Sequence, residues 1–286
     1  MAPVGRILAA IAGCLSLVHC SSLKKVGSAP DLPPEVTIAF RAQNGAVTDT
    51  RYYSSSWTRG FTQDQIVRDR TEVVEFAVRS RVLAVDTSAN TYRVNVRTIQ
   101  KDGTVDLHAL AFPELNEELE YVIRGDGAVL KAGNYPSQSI FFVPAMPVPH
   151  HPVRVGDTWT MKHSWLSAQG GIPLTLDVVG ILKDIVSCDG RSVCADVEVS
   201  GHVRIEGLQT KPGGQFENRV WGRMLFGLSR GDVIWSEMRS AEEIRSEGDR
   251  VVVNSCMVSE VAIANSRRTA PSCDPKEQPV EKVPQI

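Results

Sequence analysis

The chain of 286 residues carries 31 basic and 33 acidic side chains, which gives a formal net charge of −2. This balance, with no basic stripe, argues against a nucleic-acid-binding surface. The length suffices for one large domain or two smaller ones with a sizeable core. An aromatic fraction of 6% gives no indication of a stacked sugar-binding cleft.

The amino-terminal residues 1–20 have the pattern of an export signal. After Arg6, an apolar run extends from Ile7 to Val18. A membrane-spanning helix needs about 20 apolar residues, whereas the core of a signal peptide is shorter. The sequence therefore predicts that the protein is exported.

Two cysteines compete as the end of this signal. "LVHC", residues 17–20, is followed by Ser21 and Ser22 and resembles the processing site of bacterial lipoproteins, although His19 stands where that family has a small residue. "IAGC", residues 11–14, has the small residues but a shorter core. Lipid attachment at Cys20 is favoured. Attachment at Cys14, cleavage without lipid, and a cysteine merely lying in the signal core are the alternatives.

The resemblance to lipoproteins has consequences for location. It implies a membrane as partner, through an amino-terminal lipid anchor. Ser21 resembles the outer-membrane sorting class, so the expected location is the outer membrane or cell envelope, with the protein facing the periplasm or the exterior.

Residues 21–44 are predicted to be a flexible tether and residues 264–286 a mostly disordered tail. Between them, residues 45–263 alternate apolar and polar positions, as in "TYRVNVRTI", and turn sequences such as "QKDGT" and "SRGD" separate the runs. We expect an all-β fold: a curved antiparallel sheet of roughly a dozen strands, either an open half-barrel or a two-layer sandwich, with at most one or two short helices. "TQDQIVRDRTEV" and "SQSIFF" are the helix candidates.

A proline-rich stretch divides this β domain. Strand–turn–strand patterns before and after residues 133–157 are similar, which raises the possibility of two similar halves joined there. A meander of hairpins would look equally self-similar, so both arrangements stay open.

Four cysteines remain after the leader: Cys188, Cys194, Cys256 and Cys273. An even number in an exported chain indicates disulfides, and three pairings are possible. Cys188 and Cys194 flank the turn "DGRSV", so a hairpin disulfide is favoured, which leaves Cys256 with Cys273. The spacing lacks the pattern of zinc ligands, so no metal site is expected.

"PVRVGDTW", residues 152–159, resembles a segment of uncharacterised exported bacterial β proteins, many of them lipoproteins. The wider pattern resembles the open half-barrel of periplasmic lipoprotein carriers. This resemblance implies a curved sheet with an apolar hollow, and it implies neither catalytic residues nor a cofactor.

The inward rows of the strands are the candidate ligand-binding residues, because a strongly curved sheet of this many strands must close, stack on itself or cover its concave face. An apolar molecule is one candidate cover. The predicted rows are Tyr92, Val94, Val96, Leu174, Leu176, Val178, Val197 and Val199. The tryptophans of the predicted strands, Trp159, Trp165, Trp221 and Trp235, are interpreted first as core residues and second as pocket residues.

Catalytic motifs are weak. "GLSRG" places Ser229 in a G-x-S-x-G pattern, but a strand follows it and no histidine comes later in the chain. His150 and His151 are adjacent on an extended stretch and point in opposite directions, so they are interpreted as loop residues. The acidic run 114–120 lacks the spacing of a calcium loop and is interpreted as a solvated hairpin connection.

The favoured function is therefore that of an exported, lipid-anchored, non-catalytic binding or structural module, for a lipid-like ligand or an envelope partner. The alternatives are an envelope hydrolase with a nonstandard site and a structural subunit of an envelope assembly.

Overall fold

The computed structural model describes residues 34–167, 171–188, 192–205, 215–262 and 273–274. Eleven strands and two short 3₁₀ helices account for the regular structure of these residues. The strands are β1 (Val47–Thr62), β2 (Gln65–Asp86), β3 (Thr91–Asp102), β4 (Glu118–Arg124), β5 (Val129–Ala132), β6 (Thr158–Leu166), β7 (Pro173–Ser187), β8 (Val193–Ile205), β9 (Gln215–Gly227), β10 (Asp232–Ser246) and β11 (Asp249–Val261). The 3₁₀ helices are Leu107–Leu110 and Ile140–Phe142.

All eleven strands lie in one antiparallel sheet with the order β5-β4-β3-β2-β1-β11-β10-β9-β8-β7-β6. Sequence neighbours pair as hairpins, apart from β5 and β6, and the pairing of β1 with β11 joins the first and last strands. The sheet does not close, since β5 and β6 form its two edges. The prediction of an all-β, curved antiparallel fold is confirmed.

One of the two helix candidates is wrong. Residues 62–73 form the tip of the long hairpin between β1 and β2. Gln63 and Asp64 both take positive φ, 48° and 63°, as the two central residues of a type I′ hairpin turn do. "SQSIFF" does contain a short helix, the 3₁₀ helix Ile140–Phe142.

Phe40 shows how strongly the sheet curves. Its ring packs edge-on against Phe226 of β9, with ring centroids 5.6 Å apart. Its carbonyl oxygen accepts a hydrogen bond of 3.0 Å from the hydroxyl of Tyr92 on β3. In a flat sheet, β3 and β9 would lie about 24 Å apart. The sheet therefore curls around Phe40. We call the face that carries Tyr92 and Phe226 the inner face and the opposite one the outer face.

The end of the predicted tether is part of the core. Val36 and Ile38 are 5% and 1% exposed, and Val36 forms an antiparallel bridge with Val153. The tether prediction over residues 21–44 is therefore wrong for its last part. Val36, Ile38 and Phe40 alternate like an inward row, so burying their side chains favours an ordered chain here.

Residues 133–157 connect the two edge strands. The carbonyl oxygen of Gln138 accepts a hydrogen bond of 2.7 Å from the backbone N–H of Leu166, at the end of β6. Phe141 and Phe142 pack against Leu119, Tyr121 and Ala132 of β4 and β5. This segment therefore contacts both edges, where unpaired backbone groups would otherwise favour pairing with another chain. The similarity of the two halves stays a prediction.

Both favoured disulfides are present. Cys188 pairs with Cys194 at the end of the β7–β8 hairpin, with their Cα atoms 5.8 Å apart. Cys256 of β11 pairs with Cys273, with a Cα–Cα distance of 5.7 Å. The second disulfide brings residues 273 and 274 to the sheet, whereas the rest of the predicted tail lies outside the described residues.

The described part of the chain contains no helix of the length and apolarity needed to cross a membrane. The leader and its two cysteines, Cys14 and Cys20, lie outside the described residues.

Candidate binding surfaces on the two faces of the sheet

The predicted ligand-binding rows lie on the inner face. Val178, Val197 and Val199 belong to the same buried cluster as Phe226, and Leu176 packs against that cluster. Leu174 has the same phase on β7 as Leu176. On β3, Val94 and Val96 follow Tyr92 at alternate positions, and Val96 packs against the buried clusters of β1–β5. These rows therefore lie on the inner face, and their role in binding a ligand stays a prediction.

The chain itself covers a large part of these rows. Val178, Val197 and Val199 are 4%, 0% and 2% exposed. They are covered by two segments that we call the inner plug, residues 36–40 and 146–153. The plug contributes Val36, Ile38, Met146, Val148 and Val153 to the same cluster. No bound apolar molecule is needed to shield these valines from water.

A second cover lies on the inner face of β1–β3. Leu107 is fully buried against Val74, Phe76 and Val78. The ring of Phe112 lies 4.6 Å from that of Tyr52 and 4.9 Å from that of Phe76. Burial raises the pKa of Tyr52 to about 12. This part of the inner face is also filled by the chain's own side chains.

The acidic run 114–120 anchors this second cover. Glu114 binds the ammonium of Lys101 at 2.7 Å and accepts a hydrogen bond of 2.7 Å from the backbone N–H of Leu107. Burial opposes ionisation of Glu114, but these contacts outweigh it and lower the pKa of the carboxyl group. Glu117 contacts Nε2 of His108 at 2.6 Å. These two carboxylates thus hold the connection between β3 and β4 in place.

The inner face of β10 and β11 is more polar and more open. Ser236 and Ser259 share a hydrogen bond of 2.6 Å, while Met238 and Met257 are half-buried. Burial raises the pKa of Glu242, although a hydrogen bond with Asn218 opposes the shift. Oδ1 of Asn218 accepts a hydrogen bond of 3.1 Å from the backbone N–H of Val203. The chain covers Met238 and Met257 less completely than it covers the valine rows.

His163, Trp159 and Trp165 of β6 also belong to the inner face. Burial lowers the pKa of His163, and within the described part of the chain its Nε2 atom is buried without a hydrogen-bond partner. Trp159 is a core residue that packs flat over Gly180, where a Cβ atom would lie 2.7 Å from the indole. Trp165 has the same phase on β6 and is half-buried.

Trp221 and Trp235 border a hollow on the outer face. Its volume is about 650 Å³, which is within the range of small-molecule sites. Arg223 of β9 lies directly between Glu198 of β8 and Glu237 of β10. Trp221 and Trp235 are half-buried on either side of this row. The lining consists of Lys183, Asp196, Glu198, Val199, Trp221, Gly222, Arg223, Trp235, Glu237 and Arg239.

Ion pairs fix the charged side chains of the hollow. Asp196, only 3% exposed, accepts hydrogen bonds from Nε and Nη2 of Arg223, the first at 2.6 Å. Lys183 binds Glu198 at 3.1 Å, and Arg239 binds Glu237 at 2.8 Å. The Asp196 carboxylate raises the pKa of Arg223 further. Three cationic and three anionic side chains therefore balance in this lining.

The catalytic motif candidates lie in turns. Ser229 is exposed between β9 and β10, and His150 and His151 are exposed between β5 and β6. Nδ1 of His151 contacts the carbonyl oxygen of the neighbouring Pro152 at 3.0 Å. These placements agree with the loop interpretation of each motif.

Comparisons with known proteins give no family. No family model matches the chain, and no curated protein matches it. Among solved structures, the chain is similar to an outer membrane channel from Pseudomonas putida F1, with 11% identity over 78% of this chain and 97% of that chain and a TM-score of 0.21. At that score the likeness supports no functional argument, so the function rests on the residues of this chain.

Proposed function

We propose that the protein is an exported envelope protein, lipid-anchored through Cys20, that acts as a non-catalytic binding module. Disulfides are typical of oxidising compartments outside the cytoplasm, and the described chain contains two. The leader and the "CSS" step supply the expected export signal and attachment site.

The observation that carries the binding role is the contrast between the two faces of the sheet. The aliphatic rows of the inner face are covered by the inner plug, with Ile38 1% exposed. The outer face of β7–β10 instead presents a hollow with two indole rings and ordered ion pairs. Six of its ten lining residues are charged, so the hollow is more polar than most small-molecule sites, and the two indole rings supply the apolar surface that a ligand could contact.

A lipid-like ligand is the second candidate, and a specific observation favours it. Met238, Val253 and Met257 lie on the inner face of β10 and β11 and are only half-buried. Acyl chains could cover them, since burying apolar surface contributes about 25 cal/mol per Å². Native mass spectrometry of the soluble Cys20→Ala variant, purified without detergent so that no added amphiphile competes, tests this candidate. A stoichiometric bound lipid supports it, and protein recovered at the mass of the bare chain would contradict it.

The anchor is tested by mass spectrometry of the amino-terminal peptide. We expect a peptide that begins at acylated Cys20, and we expect Cys20→Ala to move the protein from the membrane fraction to the soluble fraction. A lipoprotein cysteine carries several acyl chains, each contributing about 0.8 kcal/mol per buried CH₂. Cys14→Ala is the matched control and should leave the protein in the membrane fraction. An unmodified start after the leader would overturn the anchor.

A further inference from the structure

We propose that the outer-face hollow between Trp221 and Trp235 binds a neutral saccharide chain. This inference rests on the proposed binding function and names its ligand class. The low aromatic fraction gave no indication of a sugar-binding cleft. The pairing of β9 and β10 nevertheless brings two tryptophans from different strands to the border of the same hollow.

The distance between the Cα atoms of the two tryptophans points to an oligosaccharide rather than a single sugar. Trp235 lies beside Leu225, just after the register shift in the β9–β10 pairing, and Trp221 lies beside Arg239. Trp221 and Leu225 are four positions apart on β9, so the two tryptophan Cα atoms are about 14 Å apart along and across the strands. This span exceeds one pyranose ring. The flat apolar faces of two different rings of an oligosaccharide can therefore stack on the two indoles.

The floor between the indoles matches hydroxyl groups. A sugar hydroxyl both donates and accepts hydrogen bonds, and the floor offers guanidinium donors beside carboxylate acceptors, Arg223 next to Glu198 and Glu237. Asp196 engages the Nε and Nη2 edge of Arg223, which leaves the Nη1 edge directed away from Asp196. Since the ion pairs already order these side chains, a ligand would cost little additional side-chain entropy.

The charge balance selects against ionic ligands. The lining holds Lys183, Arg223 and Arg239 against Asp196, Glu198 and Glu237. An ionic ligand of either sign would be repelled by three of these side chains and attracted by the other three, so the lining gives it no net electrostatic attraction. An uncharged polyhydroxylated molecule needs no such attraction.

The Cys256–Cys273 disulfide lies beside two residues that line the hollow, Glu237 and Arg239. Cys256 of β11 lies directly opposite Arg239, and Glu237 lies within 4.8 Å of both sulfur atoms. These three residues do not form a metal site, because the sulfur atoms are bonded to each other and are not thiolates. Cys273 is thereby held beside the two β10 residues that line the hollow.

The test is calorimetric titration of the full-length protein, solubilised in a detergent without a sugar head group. The probes are maltotetraose, cellotetraose and the tetramer of N-acetylglucosamine, with glucose and inorganic phosphate for comparison. We expect saturable binding of at least one tetramer, at least tenfold tighter than glucose, and no binding of phosphate. The proposal is overturned if phosphate binds more tightly than every tetramer. It is also overturned if none of the three tetramers binds at about 10 mM, which corresponds to very weak affinity.

The variants Trp221→Ala and Trp235→Ala should each weaken tetramer binding at least tenfold. Trp57→Ala is the matched control: Trp57 lies on the outer face of β1, where its indole binds Asp69 at 2.7 Å, and it should change binding less than twofold. Equal weakening by all three variants overturns the proposal. Should an alanine variant not fold, Trp221→Phe and Trp235→Phe keep a flat ring, and each should retain binding within about threefold; complete loss with an intact circular dichroism spectrum contradicts stacking.

Saccharide binding and Cys20 acylation are measured separately, so each can fail without the other. A Cys20-acylated protein that binds no saccharide keeps the envelope-module proposal and loses the ligand class. Tetramer recovered in shortened form would contradict the non-catalytic role while keeping the ligand class.

Discussion

The inner and outer faces of β8 and β9 place alternate residues of the same strands in two different environments. Val197 and Val199 point inward and are covered by the inner plug, whereas Asp196 and Glu198 point outward into the hollow. The inner positions stabilise the sheet by apolar burial. The outer positions are held by ion pairs around two half-buried indoles. A one-residue step along a strand thus separates a core position from a position in the hollow that we propose to bind a ligand.

The largest expected effect on stability comes from a substitution in the inner plug. Ile38→Ala should lower the free energy of unfolding by about 2–5 kcal/mol, because it leaves a cavity between the plug and the buried cluster. Thr37→Ala, at the exposed neighbouring position, should change it by less than about 0.5 kcal/mol. Denaturant titration measures both. Equal values for the two variants would show that residues 36–40 are a tether after all.

The disulfides are expected to have the next largest effects. In the chain-entropy account, replacing Cys256 and Cys273 with serine removes a closed loop of 17 residues, which costs about 3 kcal/mol. Replacing Cys188 and Cys194 opens a loop of 6 residues and costs about 2 kcal/mol.

The two disulfides should also differ in their effect on binding. Loss of Cys256–Cys273 should weaken saccharide binding, because this disulfide lies beside Glu237, which lines the hollow, whereas loss of Cys188–Cys194 should not. Calorimetric titration of both double variants measures this difference. Equal affinities for the two would contradict the placement of Cys273 beside the site.

A smaller effect on stability is expected at Glu242, in the polar part of the inner face. Burial raises the pKa of Glu242, so the folded state disfavours its charged form. The resulting loss of stability is absent below the unfolded-state pKa of about 4.3 and grows as the pH rises through the folded-state pKa. Glu242→Gln should therefore stabilise the protein at pH 7.5 and make little difference at pH 4. Urea titrations at both pH values check this, and an equal effect at both would show that Glu242 is not desolvated.

The features that depend on local pattern were predictable from the sequence. Alternation in "TYRVNVRTI" and "PLTLDVV" gives the β fold and the inward phase of Val94 and Leu176, and the turn "DGRSV" gives the Cys188–Cys194 pair. The plug segment 36–40 was missed because three alternating apolar residues follow a proline- and serine-rich stretch that resembles a linker.

The hollow was missed for a different reason. The residues that line the hollow become adjacent only through the register of the paired strands. The irregularity between Val233 and Trp235 also changes which face Trp235 occupies. A bulge shifts the phase of all following residues. Alternation alone could therefore name Trp221 and Trp235 as pocket candidates without placing them around one site.

Ligand recognition is proposed for the outer face, whereas the chain itself covers the aliphatic rows of the inner face. The most direct measurement is a titration of protein with the tetramer that binds most tightly, followed by NMR of the five tryptophan indole N–H groups. We predict that the signals of Trp221 and Trp235 shift and saturate together, while those of Trp57, Trp159 and Trp165 stay in place. Shifts confined to Trp159 and Trp165 would place the ligand on the inner face and contradict this account.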